Sequence, residues 1–445
     1  MEENKNTLNF VYDSWLEDKP INNGEKQFNN DYENNWGNKI HFADPYHLVF
    51  SYNEYEIFYK YLINQIPEEN KINLKKCRIQ EIYENPNENY YYFVSAHGID
   101  TEKLFESTPI DRFFNETIKE HLLKCKNFHF CLVSEHESDS EKGLILLNDL
   151  IKKYNIDGKQ IFYINNNAKL NELKEKNNVD INVYSLNFLS ISSTRVLDNA
   201  GSCNFLPEKN GKFFMCFNRG PKRHRYSLLL LLLKHNILNE INWSLIPNYF
   251  PYPGADFYEG ILSNKDIYES QKEIEYFYNI GIKKNDYEID ADYMDDKGEF
   301  KEDKLPGWML VPTFCVNHEN SYVNIVTESQ YNDYLNVIHI TEKSFKPFYY
   351  YQFPIILATH NHVKKMKELY DFDFFDDIIN HSYDDEPNQK KRIYMVLEEI
   401  KRLNNNRDFL KEFYKNNYER FENNKNKVID LLHNNKDYDF FKNLI

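Results

Sequence analysis

Cysteine is sparse in this chain of 445 residues: the six present, Cys77, Cys125, Cys131, Cys203, Cys216 and Cys315, form no Cys-x-x-Cys and keep no regular spacing. Neither a zinc cage nor a disulfide framework has that pattern, so buried free thiols in a reducing compartment are expected. Long hydrophobic runs are missing as well. The longest leucine run, 228–233, is far too short to span a bilayer, and Met1-Glu2-Glu3-Asn4-Lys5 lacks the basic-then-apolar layout of a secretion signal. Both absences lead to the expectation of a soluble, cytoplasmic protein. Positive charge is short: 54 Lys and Arg face 70 Asp and Glu, for a net charge of -16. A chain this acidic repels nucleic-acid phosphate except at a local basic patch, which disfavours general nucleic-acid binding. Glycine and alanine are scarce beside Asn, Lys, Ile and Tyr, a bias of AT-rich coding that bears on source rather than mechanism. No repeat of solenoid period is visible, and no segment is biased enough to read as disordered.

What is present is aromatic. Phe, Tyr and Trp make up 16% of the residues, led by 35 Tyr and 33 Phe, which is enough apolar surface for well-packed cores. The length calls for two domains. Residues 1–50 assign no element, and 51–66 have helical spacing. Apolar runs at 90–95, 128–134, 160–164 and 181–188 read as strands, separated by helical patterns at 111–123, 141–154 and 169–176. That alternation argues for parallel βαβ units in a Rossmann-like sheet. Ligands of such sheets sit beyond the carboxyl ends of the strands, which places His97, Asp100, Glu135, His136, Glu137 and Asp139 on the functional rim. The stretch 198–211, with Gly201, Pro207 and Gly211 among polar residues, reads as a linker. A second series follows: strands at 213–217, 322–327 and 353–357, and helices at 226–235 and 362–369. Beyond it the chain is mostly helical.

Two stretches of the second series carry chemistry. Asn218-Arg219-Gly220-Pro221-Lys222-Arg223-His224-Arg225 reads as a strongly cationic loop between an apolar strand and an apolar helix. Guanidinium groups at a β-to-α turn suit a phosphate, although charge runs are commonly only solvated turns. The second stretch is Ile340-Thr341-Glu342-Lys343-Ser344-Phe345-Lys346-Pro347. Pro347 is tolerated only near a helix start, so the helix begins close to Thr341 or Ser344, both suitable N-caps. Its N-terminus, with lysine beside it, makes a place for an anion. Glu328-Ser329 ends the preceding strand, and a glutamate can accept two hydrogen bonds from a vicinal diol such as ribose. Asp290, Asp292, Asp295 and Asp296, and the Asp-x-Asp of Asp371 and Asp373, are the candidate metal ligands. Among 70 acidic residues such pairs arise by chance, and neither set follows a convincing strand, so no metal is expected.

The segments Val323-Asn324-Ile325-Val326-Thr327-Glu328-Ser329, His339-Ile340-Thr341-Glu342-Lys343 and Phe353-Pro354-Ile355-Ile356-Leu357 resemble the donor-binding block of the α1,3-fucosyltransferases and related GT-B glycosyltransferases. The Phe-Lys-Pro after Thr-Glu-Lys resembles the version in glycosyltransferase-like proteins of phages and large DNA viruses. The segment from Asn218 to Arg225 resembles their Asn-Arg-x-Pro-x-x-His-Arg. Ala358-Thr359-His360 stands where the family has a glycine, and Tyr349-Tyr350-Tyr351-Gln352 where it has a small-residue turn. The resemblance implies an α/β fold of two Rossmann-like domains facing across a cleft, with a helical C-terminal extension. The corresponding division is an acceptor-side domain over 1–205, a donor domain over 212–385 and helices over 386–445. It further implies sugar transfer from a GDP- or UDP-linked donor to a glycan or glycoprotein acceptor, inverting and without a cofactor, in an infected host cell. Glu342 would contact the ribose, Lys343 and Arg225 would neutralise the diphosphate, and Glu328 would line the pocket, with Asn218, Arg219, Ser329 and Thr341 around them. His97, Glu135 and Glu137 are the candidate bases. Two other readings stand beside this one: an inactive GT-B module that binds glycan or nucleotide, and a DNA-modifying glycosyltransferase whose 219–225 patch meets the duplex.

Overall fold

The computed structural model describes residues 7–12, 73–78, 81–95, 116–134, 141–186, 203–218, 222–244, 318–333, 336–433, 440 and 443–444. The chain forms two compact units, Met1–Phe188 with Leu335–Val337 and Asn435–Ile445, and Leu189–Tyr334 with Ile338–Asn434. Both are α/β with parallel sheets. The three long C-terminal helices are thus part of the second unit, and the last residues return to the first.

The first unit holds β1 (Thr7–Tyr12), β2 (Asn73–Arg78), β3 (Tyr90–Ser95), β4 (Phe128–Ser134), β5 (Ile161–Asn165) and β6 (Asn182–Ser185) in the order β2-β1-β3-β4-β5-β6. Every pairing is parallel. Parallel strands are covered on both faces, so they appear in sequence as unbroken apolar runs rather than alternations. β5 is buried at all five positions. The helices are α1 (Glu81–Glu84), α2 (Glu116–Lys124), α3 (Glu141–Lys153) and α4 (Leu170–Lys176). Leu144, Leu147 and Ile151 of α3 lie on one stripe at helical spacing and join Phe128, Phe130, Ile161 and Tyr163 in one core. The chain's far end closes onto this sheet: Tyr91 donates to the carbonyl of Leu444 at 2.6 Å, and the Tyr184 and Phe440 ring centroids are 4.4 Å apart.

The second unit holds β7 (Phe214–Phe217), β8 (Ile241–Ser244), β9 (Val323–Thr327) and β10 (Phe353–Leu357), all parallel, in the order β10-β9-β7-β8. Its helices are α5 (Arg223–Lys234), α6 (Glu342–Tyr349), α7 (His362–Tyr370), α8 (Gln389–Asn405), α9 (Arg407–Asn416) and α10 (Tyr418–His433). α5 begins at Arg223, three residues before the expected start, because the charged residues taken for loop form its first turn. Leu228 to Leu232 along it are fully buried. The tyrosine-rich turn before β10 is part of the core. Gln352 there donates to the carbonyls of His318 (2.7 Å) and Ser321 (3.0 Å) and accepts from Asn324 (2.8 Å), so a fully buried amide is satisfied. Among the described residues, no helix is long and apolar enough to cross a membrane.

Candidate functional site

In the second unit β8 lies on one side of β7 and β9 on the other, so the strand order reverses between β7 and β9. A parallel sheet opens a crevice at such a point, beyond the carboxyl ends of the two strands. Asn218 follows β7 there, and Glu328 and Ser329 follow β9. Helices α5 and α6 begin beside them.

The start of α5 is fastened to the end of β9 by successive side chains. Lys222 Nζ donates to the Ser329 carbonyl at 2.8 Å, His224 Nε2 to that of Glu328 at 2.8 Å, and Arg225 Nη2 to that of Thr327 at 3.2 Å. The His224 ring also stacks on Tyr331, centroids 4.9 Å apart. Thr327 Oγ1 donates to Asn218 Oδ1, joining the ends of β9 and β7. His224 and Arg225 are only 3% exposed, so this segment is not a solvated turn. Burial holds the His224 ring neutral, with its pKa well below the ordinary value, and the adjacent Arg225 charge acts in the same direction.

Thr341 caps α6 in extended conformation, its hydroxyl accepting from the Lys343 amide at 3.3 Å. Pro347 is the sixth residue of this eight-residue helix, deeper than the expected place near its start, and it forgoes the amide bond to the Lys343 carbonyl. Under the cap lies Glu328, fully buried. Its carboxylate accepts from the Thr341 amide (3.2 Å), the Thr341 hydroxyl (2.7 Å), the Ser329 amide (3.0 Å) and Ser344 Oγ. Ser344 Oγ lies 3.1 Å from His362 Nε2; since the hydroxyl proton goes to Glu328, the imidazole donates. Burial alone would raise the Glu328 pKa. The Lys343 charge, His362 and the hydroxyl donors outweigh it and bring the group to about 2. Burial likewise lowers His362 to about 4.

At the mouth are Glu342 and Lys343, whose side chains are 18% and 28% exposed and paired at 2.7 Å. Burial would lower the Lys343 pKa, but Glu342 and Glu328 outweigh it and raise the value, against the nearby Arg225 charge. Arg225, on the Thr327 carbonyl, and Lys343, in the turn that caps over Glu328, are thus brought to the same strand end from positions more than a hundred residues apart.

The structure sorts the expected residues into two groups. Glu342 and Lys343 form an accessible pair. Asn218, Arg225, Glu328, Ser329 and Thr341 form a buried frame behind it. Glu328 had been expected to line a pocket and accept a diol, but chain donors already occupy both of its oxygens. Ser344, expected only as a possible cap, and His362, expected only as a helix start, are members of the frame. Their signal was faint: a hydroxyl one turn into a helix and a histidine at the next helix start. Asp371 and Asp373 pair instead with Lys427 and Arg420 of α10. His97, Asp100, Glu135, His136, Glu137, Asp139, Arg219 and the 290–296 aspartates lie outside the described residues, as do Cys315 and the 51–66 helix. Cys77, Cys125, Cys131, Cys203 and Cys216 are buried and free. No family model, no curated protein and no solved structure matches the chain.

Proposed function

We propose that the second unit binds a nucleotide-diphosphate sugar and that the chain is a glycosyltransferase acting on a carbohydrate or glycan acceptor. The observation that carries this reading is the gathering of Arg225, bonded to the Thr327 carbonyl, and Lys343, in the first turn of the helix capped over Glu328, around the end of β9 at the reversal of strand order. Breaking a sugar–phosphate bond leaves negative charge on the departing diphosphate. Lys343 would contact it directly, Arg225 would act through its field from behind, and the positive end of the α6 dipole would complete the cradle. Glu342, released from Lys343 by the incoming phosphate, would accept from the ribose hydroxyls. The GT-B assignment, with a first Rossmann-like domain presenting the acceptor, belongs to the same proposal, as does transfer with inversion and without a metal. His97, Glu135 or Glu137, which follow β3 and β4, would take the acceptor proton. A duplex-binding role for the 219–225 segment is less well supported, since His224 and Arg225 are buried and Lys222 is engaged with Ser329.

The test is a thermal-shift panel of GDP-, UDP- and ADP-sugars followed by donor hydrolysis and transfer in chelator. One nucleotide should raise the melting temperature, because a ligand of the native state stabilises it. No response to any nucleotide refutes the reading. Stabilisation without turnover on any acceptor reduces it to a binding module, and loss of turnover in EDTA removes the metal-free part.

A further inference from the structure

Glu328 stands where a functional carboxylate is expected, yet no part of it reaches solvent. It collects hydrogen bonds from its own strand end (the Ser329 amide), from the cap of α6 (Thr341 amide and hydroxyl) and from the first turn of α6 (Ser344). Through Ser344 it also reaches His362 at the start of α7. Its backbone carbonyl is held in turn by His224 of α5. One residue therefore fixes how three helix N-termini sit around the end of β9. The ordering of that first turn sets where the Lys343 ammonium and the positive end of the α6 dipole point.

Building on the diphosphate reading above, we infer that Glu328 is the positioning residue of the site: it aims the start of α6 and the Lys343 ammonium at the anion without touching the ligand. What matters is then the reach of its two oxygens more than its charge. Asp at this position keeps the charge but is one methylene too short to span from the β9 end to Thr341 and Ser344. Gln keeps the reach and one acceptor oxygen. A carboxylate that met the ligand directly would show the opposite order of sensitivity.

The experiment measures inorganic pyrophosphate, GDP and UDP binding by calorimetry for the wild-type chain, Glu328→Asp, Glu328→Gln and Ser344→Ala. Each is first checked for folding by circular dichroism and assayed well below its melting temperature. Expected are a loss of about tenfold or more for Glu328→Asp, and about threefold each for Glu328→Gln and Ser344→Ala. A residue with a merely structural role would lower the melting temperature and leave these affinities alone. Labelling gives a second readout: the acetylation rate of Lys343 relative to exposed Lys411 should rise severalfold in Glu328→Gln, as the ammonium loses a neighbouring carboxylate. If Glu328→Asp does not fold, Ser344→Ala carries the test, since it removes a single donor and no charge. Wild-type affinity in the variants that fold, or a larger loss in Glu328→Gln than in Glu328→Asp, overturns the inference while leaving the nucleotide reading intact. A wild-type chain that binds neither pyrophosphate nor either nucleotide overturns both.

Discussion

The Glu342–Lys343 pair makes Glu342→Gln the sharpest perturbation of the site, because the two halves of a nucleoside diphosphate should respond in opposite directions. Glu342 Oε1 is 2.7 Å from Lys343 Nζ, and a phosphate at the ammonium must displace it. With both side chains partly exposed, the pair is worth about 0.5–1 kcal/mol. Removing the charge frees Lys343, so bare pyrophosphate should bind about two- to fivefold more tightly. A nucleoside diphosphate gains the same increment but loses the charged acceptor of its ribose hydroxyls. A hydrogen bond to a charged group is worth about 1.5–3 kcal/mol, so the net result should be weakening by about two- to seventyfold. Calorimetric titration with pyrophosphate and with the stabilising nucleotide reads both numbers on one preparation. Lys343→Met serves as the control and should weaken both ligands by about 10- to 150-fold. If Glu342→Gln moves both ligands in the same direction, the division of labour between ribose and phosphate is wrong. If Lys343→Met moves neither, the site does not bind the diphosphate.

Acid should destabilise the second unit in two stages. Below pH 6.5 the unfolded chain takes up protons that the folded one refuses, because burial holds His362 and His381 at about 4. Stability then falls by about 1.4 kcal/mol per pH unit for each such ring, and His362→Gln should reduce the urea-midpoint slope between pH 6.5 and 4 by about one proton. The contribution of Glu328 is full above its unfolded value of 4.5 and is lost as pH falls towards 2, while Asp384, raised by burial, works in the opposite sense. A slope unchanged in His362→Gln would show that this ring is protonated in the fold. Arg392 is buried at 1% side-chain exposure, pairs with Asp333 and donates to the Ala358 carbonyl at 2.7 Å. Arg392→Met should cost about 3–5 kcal/mol in guanidinium denaturation, and a loss below about 1 kcal/mol would mean that the 328–333 loop does not depend on it. A Cβ added at Gly158 would lie 1.5 Å from the Asp180 carbonyl oxygen. Gly158→Ala should therefore destabilise the first unit by more than about 4 kcal/mol, and an unchanged melting temperature would show that the turn simply slides aside.

The strands that were legible in sequence are those buried on both faces. β3, β4 and β10 coincide with their apolar runs, β7 and β9 begin one residue later than theirs, β5 is shifted by one residue, and β6 takes only Asn182–Ser185 of the run at 181–188. β1 and β2 escaped notice for different reasons. β2 is at the edge of its sheet and carries Lys75 and Lys76, so it shows no apolar run. β1 is interior but contains Asn9, whose buried amide donates to Glu88 at 3.0 Å and to the Asn89 carbonyl at 3.1 Å. That satisfied polar group breaks the pattern without disturbing the strand. At the site, the residue types and their segments could be read, but their exposure could not. Charge in a sequence looks like surface. Only the fold shows that His224, Arg225 and Glu328 have their partners inside it.

The closure of the first sheet by Leu444, 353 positions after the tyrosine it meets, has a consequence for biosynthesis. A ribosome delivers the strands of the first unit early, but the piece that seals them emerges only after the entire second unit has been made. Domains ordinarily complete themselves in the order of translation. Here the first unit waits for residues that follow the whole second unit, and a chain cut short before residue 440 would injure the portion of the protein made first.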